Sequence, residues 1–188
     1  MKNNIREQIL QATIQLLESD NDASHLTVRQ IAEKAGVGLG LINYHFKSRD
    51  ALINDAIGAM MFHAAKPYFS IPSAYENDPA DAIKSIFKAT SEIGIRYSLG
   101  RFAVQYTLLN GNMEVPALIV PLLRQYFEGR KSDLEIRMMA FSMVTTIQVA
   151  YIRSDAFRIY AGMDIQNEQQ RNQLIDLVVD QFLSKEQK

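Results

Sequence analysis

The feature that most restricts this chain is a pair of short apolar-periodic segments that meet at one glycine. Val28, Ile31, Ala32 and Ala35 recur at helical spacing over residues 28–35 and make one inner face. Thr27 stands just ahead of them, where a hydroxyl can accept a bond from a free first-turn amide. Gly36 stops the segment, as a glycine just past a helix end does. A second short helix is expected over about residues 39–45, with Ile42 and Phe46 turned inward. Ala32 and Ala35 are small where the two helices must approach, and Val37 fills the corner of the turn. Ahead of this pair, Ile5, Ile9, Ala12, Leu16 and Leu17 form the buried stripe of a first helix, about residues 5–18, which Ser19-Asp20-Asn21-Asp22 ends with turn formers.

The second helix of the pair presents Leu39, Gly40, Asn43 and Tyr44 away from the core. A short helix with such an outward face at the far side of a tight turn is how a helix-turn-helix presents a major-groove reader. Arg29, Lys47 and Arg49 flank it and supply the local positive charge that a phosphate backbone attracts. The charge is only local: 20 Lys and Arg stand against 21 Asp and Glu, for a formal net charge of -1. Each of these residues also has a plainer reading. Lys47 and Arg49 serve equally as solvated charges, Tyr44 as packing against the first helix, His45 as a cation favoured at a helix C-terminus, and Thr27 as a cap alone.

At these positions the sequence resembles the TetR family of bacterial regulators, whose pattern runs roughly T-x-x-x-I-A-x-x-A-G-V-S-x-G-x-L-Y-x-H-F-x-S-K-x-x-L. Thr27, Ile31, Ala32, Ala35, Gly36, Val37, Gly40, Ile42, His45, Phe46, Ser48, Arg49 and Leu52 fall at the corresponding places without a gap. The resemblance implies that Thr27, Arg29, Tyr44, His45, Lys47 and Arg49 contact phosphates. It implies that Leu39, Gly40, Leu41 and Asn43 face the groove, with Gly40 permitting close approach and a leucine touching a thymine methyl. Two departures matter. Gly38 stands where the family often has serine, so the reading helix lacks a side-chain cap. Asn43 stands where the family often has tyrosine, so operator preference does not carry over from relatives.

The remainder is helical too, and the expected class is all-α: a three-helix DNA-binding domain over residues 1–48 and a helical ligand-binding and dimerisation domain over residues 49–188. Ser48 is a plausible cap for a helix over residues 49–65, which Pro67 and Pro72 close. Further helices are expected over residues 79–97, 99–109, 116–129, 133–158 and 167–184. Residues 134–152 are apolar on most of the circumference, and the last helix carries two apolar stripes. A helix apolar all round is buried on both sides, and so short a chain has too few helices to bury every stripe. A two-fold partner would cover the surplus, and in the resembled family the last two helices do so. Phe141, Thr145, Gln148, Ile152, Leu174, Val178 and Phe182 are the candidate dimer residues. Met60, His63, Phe87, Phe102, Tyr106, Met113, Tyr126 and Met143 are soft, aromatic or polar candidates for a ligand pocket, although such stripes also serve as plain core.

The implied function is a homodimeric repressor released from a palindromic, double-stranded operator by a small apolar or amphipathic effector. The alternatives are a helical scaffold or adaptor, or a regulator that senses a protein. No cofactor, metal or membrane partner is expected. The histidines, His25, His45 and His63, have no metal-ligand spacing, and the sequence lacks a phosphate loop or nucleophile motif, so an enzyme is not expected. The chain has no cysteine, no signal-peptide pattern and no apolar run of about 20 residues. The expected location is the cytoplasm.

Overall fold

The computed structural model describes residues 2–19, 25–66, 78–96 and 113–183. These residues form nine α-helices and no strand: α1 (Lys2–Ser19), α2 (Val28–Ala35), α3 (Leu39–Phe46), α4 (Arg49–Ala65), α5 (Pro79–Arg96), α6 (Glu114–Phe127), α7 (Asp133–Ile152), α8 (Ser154–Ala161) and α9 (Glu168–Leu183). The helix expected over residues 99–109 lies outside the described residues.

The ends of the first helices follow from local chemistry. Thr27 closes a capping box on α2: its hydroxyl accepts from Gln30 N at 3.3 Å, and the Gln30 side chain accepts from Thr27 N at 2.8 Å. Gly36 ends α2 at φ 62°, ψ 34°. Val37 N then donates to Ala32 O at 3.0 Å and Gly36 N to Glu33 O at 3.1 Å, the paired bonds of a Schellman ending. Gly38 starts α3 with no side-chain cap, and Ser48 caps α4 by accepting from Ala51 N at 3.1 Å.

Two hydrophobic cores result. Ile9, Leu17, Leu26, Ile31, Ala35, Ile42 and Phe46 pack with Leu52, Ile53, Ala56 and Ile57. The N-terminal core therefore runs on into α4 and does not stop at residue 48, because the inner face of α4 completes the three-helix unit. The second core gathers α5, α6, α7 and α9 around Ile83, Ile119, Leu123, Met143, Ile175 and Val179.

One helix boundary departs from expectation. The helix read over residues 133–158 is two helices, α7 and α8, broken at Arg153 (φ -109°, ψ 34°). No glycine or proline marks the break, and the apolar periodicity carries across it. The change of direction lets Phe157 and Met163 fold back onto the body core, a tertiary requirement that periodicity does not encode.

Three ion pairs tie α5 to α9. Lys84 meets Asp180, Lys88 meets Asp176 and Glu92 meets Arg171, each at 2.6 Å. The hydrogen bond from Lys84 to Asp180 holds the ammonium above the ordinary lysine range. Arg171 is buried, and it also donates to the carbonyls of Ile165 (3.0 Å) and Gln166 (3.3 Å), so it pins the loop ahead of α9 to α5. Removing one member of such a pair leaves a buried charge without its counter-ion. Glu92→Leu is therefore expected to lower unfolding stability by about 2 kcal/mol, the exposed side of Glu92 softening the loss. Lys84→Leu, at a more open pair, should cost under about 1 kcal/mol. Urea unfolding of both variants checks the ranking.

Candidate functional site

The face built by α2 and α3 is the first candidate. Ile42 and Phe46 sit in the core, which turns the remaining positions of α3 outward. Leu39, Gly40, Leu41, Asn43 and Tyr44 are exposed, Tyr44 at 66%. Exposed apolar and aromatic side chains on an uncapped eight-residue helix bring the molecule no burial, so they are available to a partner. Thr27, Arg29 and Lys47 are exposed at the edges of this face. Between Thr27 and Arg49 the basic residues are Arg29, Lys34, Lys47 and Arg49, against the single acidic Glu33. His45 is half-buried, with its ring edge-on to Tyr44 at 5.1 Å between centroids.

Arg49 has structural work as well. Its Nε donates to the carbonyl of Leu26 and its Nη1 pairs with Asp50 at 3.0 Å, tying the start of α4 to the start of α2. Lys47 joins α3 to α4 through a tight turn: its backbone lies at φ 63°, ψ -39°, and Ser48 N donates to Phe46 O at 2.7 Å. This is the rarer, strained form of γ-turn, in left-handed backbone that a side chain disfavours.

Behind this face lies the second candidate, a cavity of about 730 Å³. Its walls come from α1 and α4 of the N-terminal unit and from α5, α6 and α7 of the body. Phe87, Ile86, Ile119, Val144 and Ile147 make it largely apolar. Arg6, on α1, stands at its edge. The Arg6 guanidinium pairs with Asp55 of α4 at 2.6 Å and lies over the ring of Phe46, the last residue of α3, at 4.9 Å. One side chain thus touches the cavity wall and the end of α3. At the other side, Gly94 of α5 approaches α7 closely: a Cβ there would meet the Tyr151 hydroxyl at 3.2 Å and Met61 Cε at 3.6 Å. Tyr151 donates to Ser91 O at 3.1 Å, and its burial pushes its own ionisation well above the ordinary tyrosine range.

Of the sequence-derived pocket residues, Phe87 lines this cavity. Met143 is fully buried in the body core, one position short of Val144, and Met60 packs on the N-terminal core, one position short of Met61. One residue is about 100° around a helix, and a helix apolar all round carries no phase information. Tyr126 is at the far end of the body, where its hydroxyl donates to Leu183 O. His63 and Met113 are exposed and off the wall. Phe102 and Tyr106 lie outside the described residues. The sequence reading missed Arg6, Asp55, Ser91 and Tyr151, and no motif singles them out.

The candidate dimer residues divide as well. Phe141 is exposed, and Thr145 and Ile152 are half-buried on the same outward side of α7. Gln148 instead lines the cavity. Leu174 and Val178 are buried in the protomer's own core, and Phe182 packs against it, because α9 turns that stripe into the body. The uncovered large apolar side chains of α7, α8 and α9 are Leu134, Met138, Phe141 and Val149 of α7, Ile159 and Tyr160 of α8, and Leu177 of α9. Leu134 is 69% and Tyr160 90% exposed. A shallow polar groove runs along the outward side of α9, lined by Gln173, Asp176, Leu177 and Asp180. Among the described residues no three His, Asp or Glu side chains group as a metal site, and no helix is long and apolar enough to cross a membrane.

Residues 9–56 match the bacterial regulatory proteins of the tetR family. The match takes in most of α1, all of α2 and α3, and the first half of α4. Within the matched segment, α2 and α3 form a helix-turn-helix. The chain is 30% identical over 81 residues to the HTH-type transcriptional regulator BetI of Stenotrophomonas maltophilia (strain R551-3), a match covering 43% of this chain and 41% of that protein. The match thus spans less than half the length of that curated relative. The fold is shared with FadR of Thermus thermophilus, a TetR-family transcriptional repressor crystallised with lauroyl-CoA: TM-score 0.64, 20% identity, 92% of this chain and 93% of that one. A putative transcriptional regulator from Pseudomonas aeruginosa PAO1 superposes with TM-score 0.51 at 22% identity, covering 95% and 90%.

The Lys47 turn gives a direct test of strain. Glycine adopts left-handed backbone at no side-chain cost. Lys47→Gly is expected to raise unfolding stability by about 1 kcal/mol. Lys47→Ala, which keeps the Cβ, should leave it within about 0.5 kcal/mol of the parent. Urea midpoints distinguish the two.

Proposed function

We propose that the chain acts as a homodimeric repressor that reads a palindromic operator with α3 and leaves it when a small apolar or amphipathic molecule enters the cavity. The observation that carries the reading is the shared wall: α1 and α4 belong to the DNA-binding unit, and both also line the cavity. A ligand that binds better to one tilt of α4 shifts the population towards that tilt, and only to the extent of its differential affinity. Arg6, through Asp55 and Phe46, gives the tilt a mechanical consequence at the end of α3.

On DNA, Leu39, Gly40, Leu41 and Asn43 face the groove, where Asn43 can pair two-pronged with an adenine edge. Thr27, Arg29, Tyr44, His45 and Lys47 take phosphates, and Arg49 does so with the part of its guanidinium that remains outside. The partner protomer covers the apolar side of α7, with Leu134, Met138, Phe141, Thr145, Val149 and Ile152, together with Leu177 of α9. Two α3 helices held about 34–36 Å apart then meet successive major grooves on one face of the duplex.

Binding of fluorescent duplex DNA as a function of salt tests the interface. The log of affinity is expected to fall steeply with the log of salt, and Arg29→Gln and Lys47→Gln should each reduce the slope by about one. Binding without salt dependence would remove the DNA reading. Met138→Glu with Val149→Glu places charge on the covered face. Sedimentation is expected to show a dimer for the parent and a monomer for the variant, with affinity for a palindromic site reduced at least about tenfold.

A further inference from the structure

We infer that the cavity selects an uncharged amphipathic molecule, one whose hydrogen-bonding head is held by Gln148 and Ser91. The inference rests on the effector reading above and specifies its ligand class.

The polarity of the wall is graded. On α5 the lining residues run Ile86, Phe87, Thr90, Ser91, Gly94; on α7 they run Val144, Ile147, Gln148, Tyr151. Both helices therefore pass from apolar to polar towards their C-terminal ends. The 3.1 Å hydrogen bond from the Tyr151 hydroxyl to Ser91 O shows that the polar ends meet. An elongated ligand would lie with its apolar body against Phe87 and Val144 and its head at this junction.

The head is recognised by neutral groups. Thr90's hydroxyl already donates to the carbonyls of Ile86 (2.8 Å) and Phe87 (3.2 Å), and Tyr151's donates to Ser91 O. Among the described residues, the Ser91 hydroxyl and the Gln148 carboxamide, by contrast, have no hydrogen-bond partner. Ser91 is buried and Gln148 half-buried, and polar groups so placed ordinarily have partners. Together they offer a carbonyl acceptor, two N–H donors and a hydroxyl, the complement of an amide or an alcohol.

Charge is matched against charged heads. The charged residues on the described wall are Arg6 and Asp55, and they pair with each other at 2.6 Å. Near Tyr151, Arg171 is held by Glu92 at 2.6 Å and by two carbonyls. Both arginines already have a carboxylate, so an anionic head gains no counter-ion without breaking a pair. A cationic head would have to take Asp55 from Arg6. An unpaired charge in such a site pays the desolvation penalty in full.

The test compares dodecanamide, dodecanoate, dodecyltrimethylammonium and lauroyl-CoA, which share a twelve-carbon chain, against the full-length protein. The uncharged dye Nile red is the fluorescent reporter. Nile red is expected to light up on binding, and dodecanamide to displace it with a Kd at least tenfold below that of each charged probe. Gln148→Leu should weaken dodecanamide about tenfold, and Ser91→Ala several-fold, each read against that variant's own Nile red Kd. Thermal unfolding of each variant, followed by circular dichroism, certifies its fold. A charged probe binding as tightly as dodecanamide, or a Gln148→Leu variant with parental amide affinity, overturns the inference and leaves the cavity reading intact. Failure of Nile red and all four probes to bind removes the cavity reading itself, and the inference with it.

Discussion

Leu52, Ile53, Ala56 and Ile57 commit the first half of α4 to the N-terminal core. Met61 and Phe62, about a turn further on, stand on the cavity wall. Close-packed interiors do not deform continuously, so a displacement of the second half of α4 must be carried into the first or resisted by it. Ile93 of α5 packs against the same N-terminal core, and Gly94 beside it lets Tyr151 of α7 close in. The junction is thus a packed joint between two units and not a linker. Whatever fills or empties the cavity works against the same residues that seat α3.

The N-terminal unit was almost wholly legible in the sequence. Its instructions are local: a cap at Thr27, a left-handed stop at Gly36, a cap at Ser48, and an apolar stripe with one unambiguous side. Short helices with clear amphipathicity fix their own phase, so the outward residues of α3 followed from Ile42 and Phe46 alone. Even there the sequence was silent on the backbone of Lys47, since nothing in Phe46-Lys47-Ser48 announces a positive φ at a lysine.

The body was legible only as helices. Pocket residues were misplaced by one position, at Met60 against Met61 and at Met143 against Val144, because α4 and α7 have little contrast between faces. Leu174 and Val178 look as apolar as any interface, yet they are claimed by the protomer's own core. Which stripe of α9 turns inward is decided by contacts about 80–90 residues away in sequence, among them Lys88 with Asp176 and Glu92 with Arg171. A single helix read alone does not contain that information. The break at Arg153 is of the same kind.

Those ion pairs carry a meaning beyond adhesion. Along α5 the signs run plus, plus, minus at Lys84, Lys88 and Glu92; along α9 the facing signs run minus, minus, plus at Asp180, Asp176 and Arg171. Had all three rungs shared one polarity, α9 could slide by a turn in either direction and still find opposite charges for two of them. The reversal at the third rung forbids this. A slip one way sets Glu92 against Asp176; a slip the other way sets Lys88 against Arg171. The ladder therefore reads like a key with one asymmetric tooth, which penalises a one-turn slip of α9 in either direction with a like-charge contact.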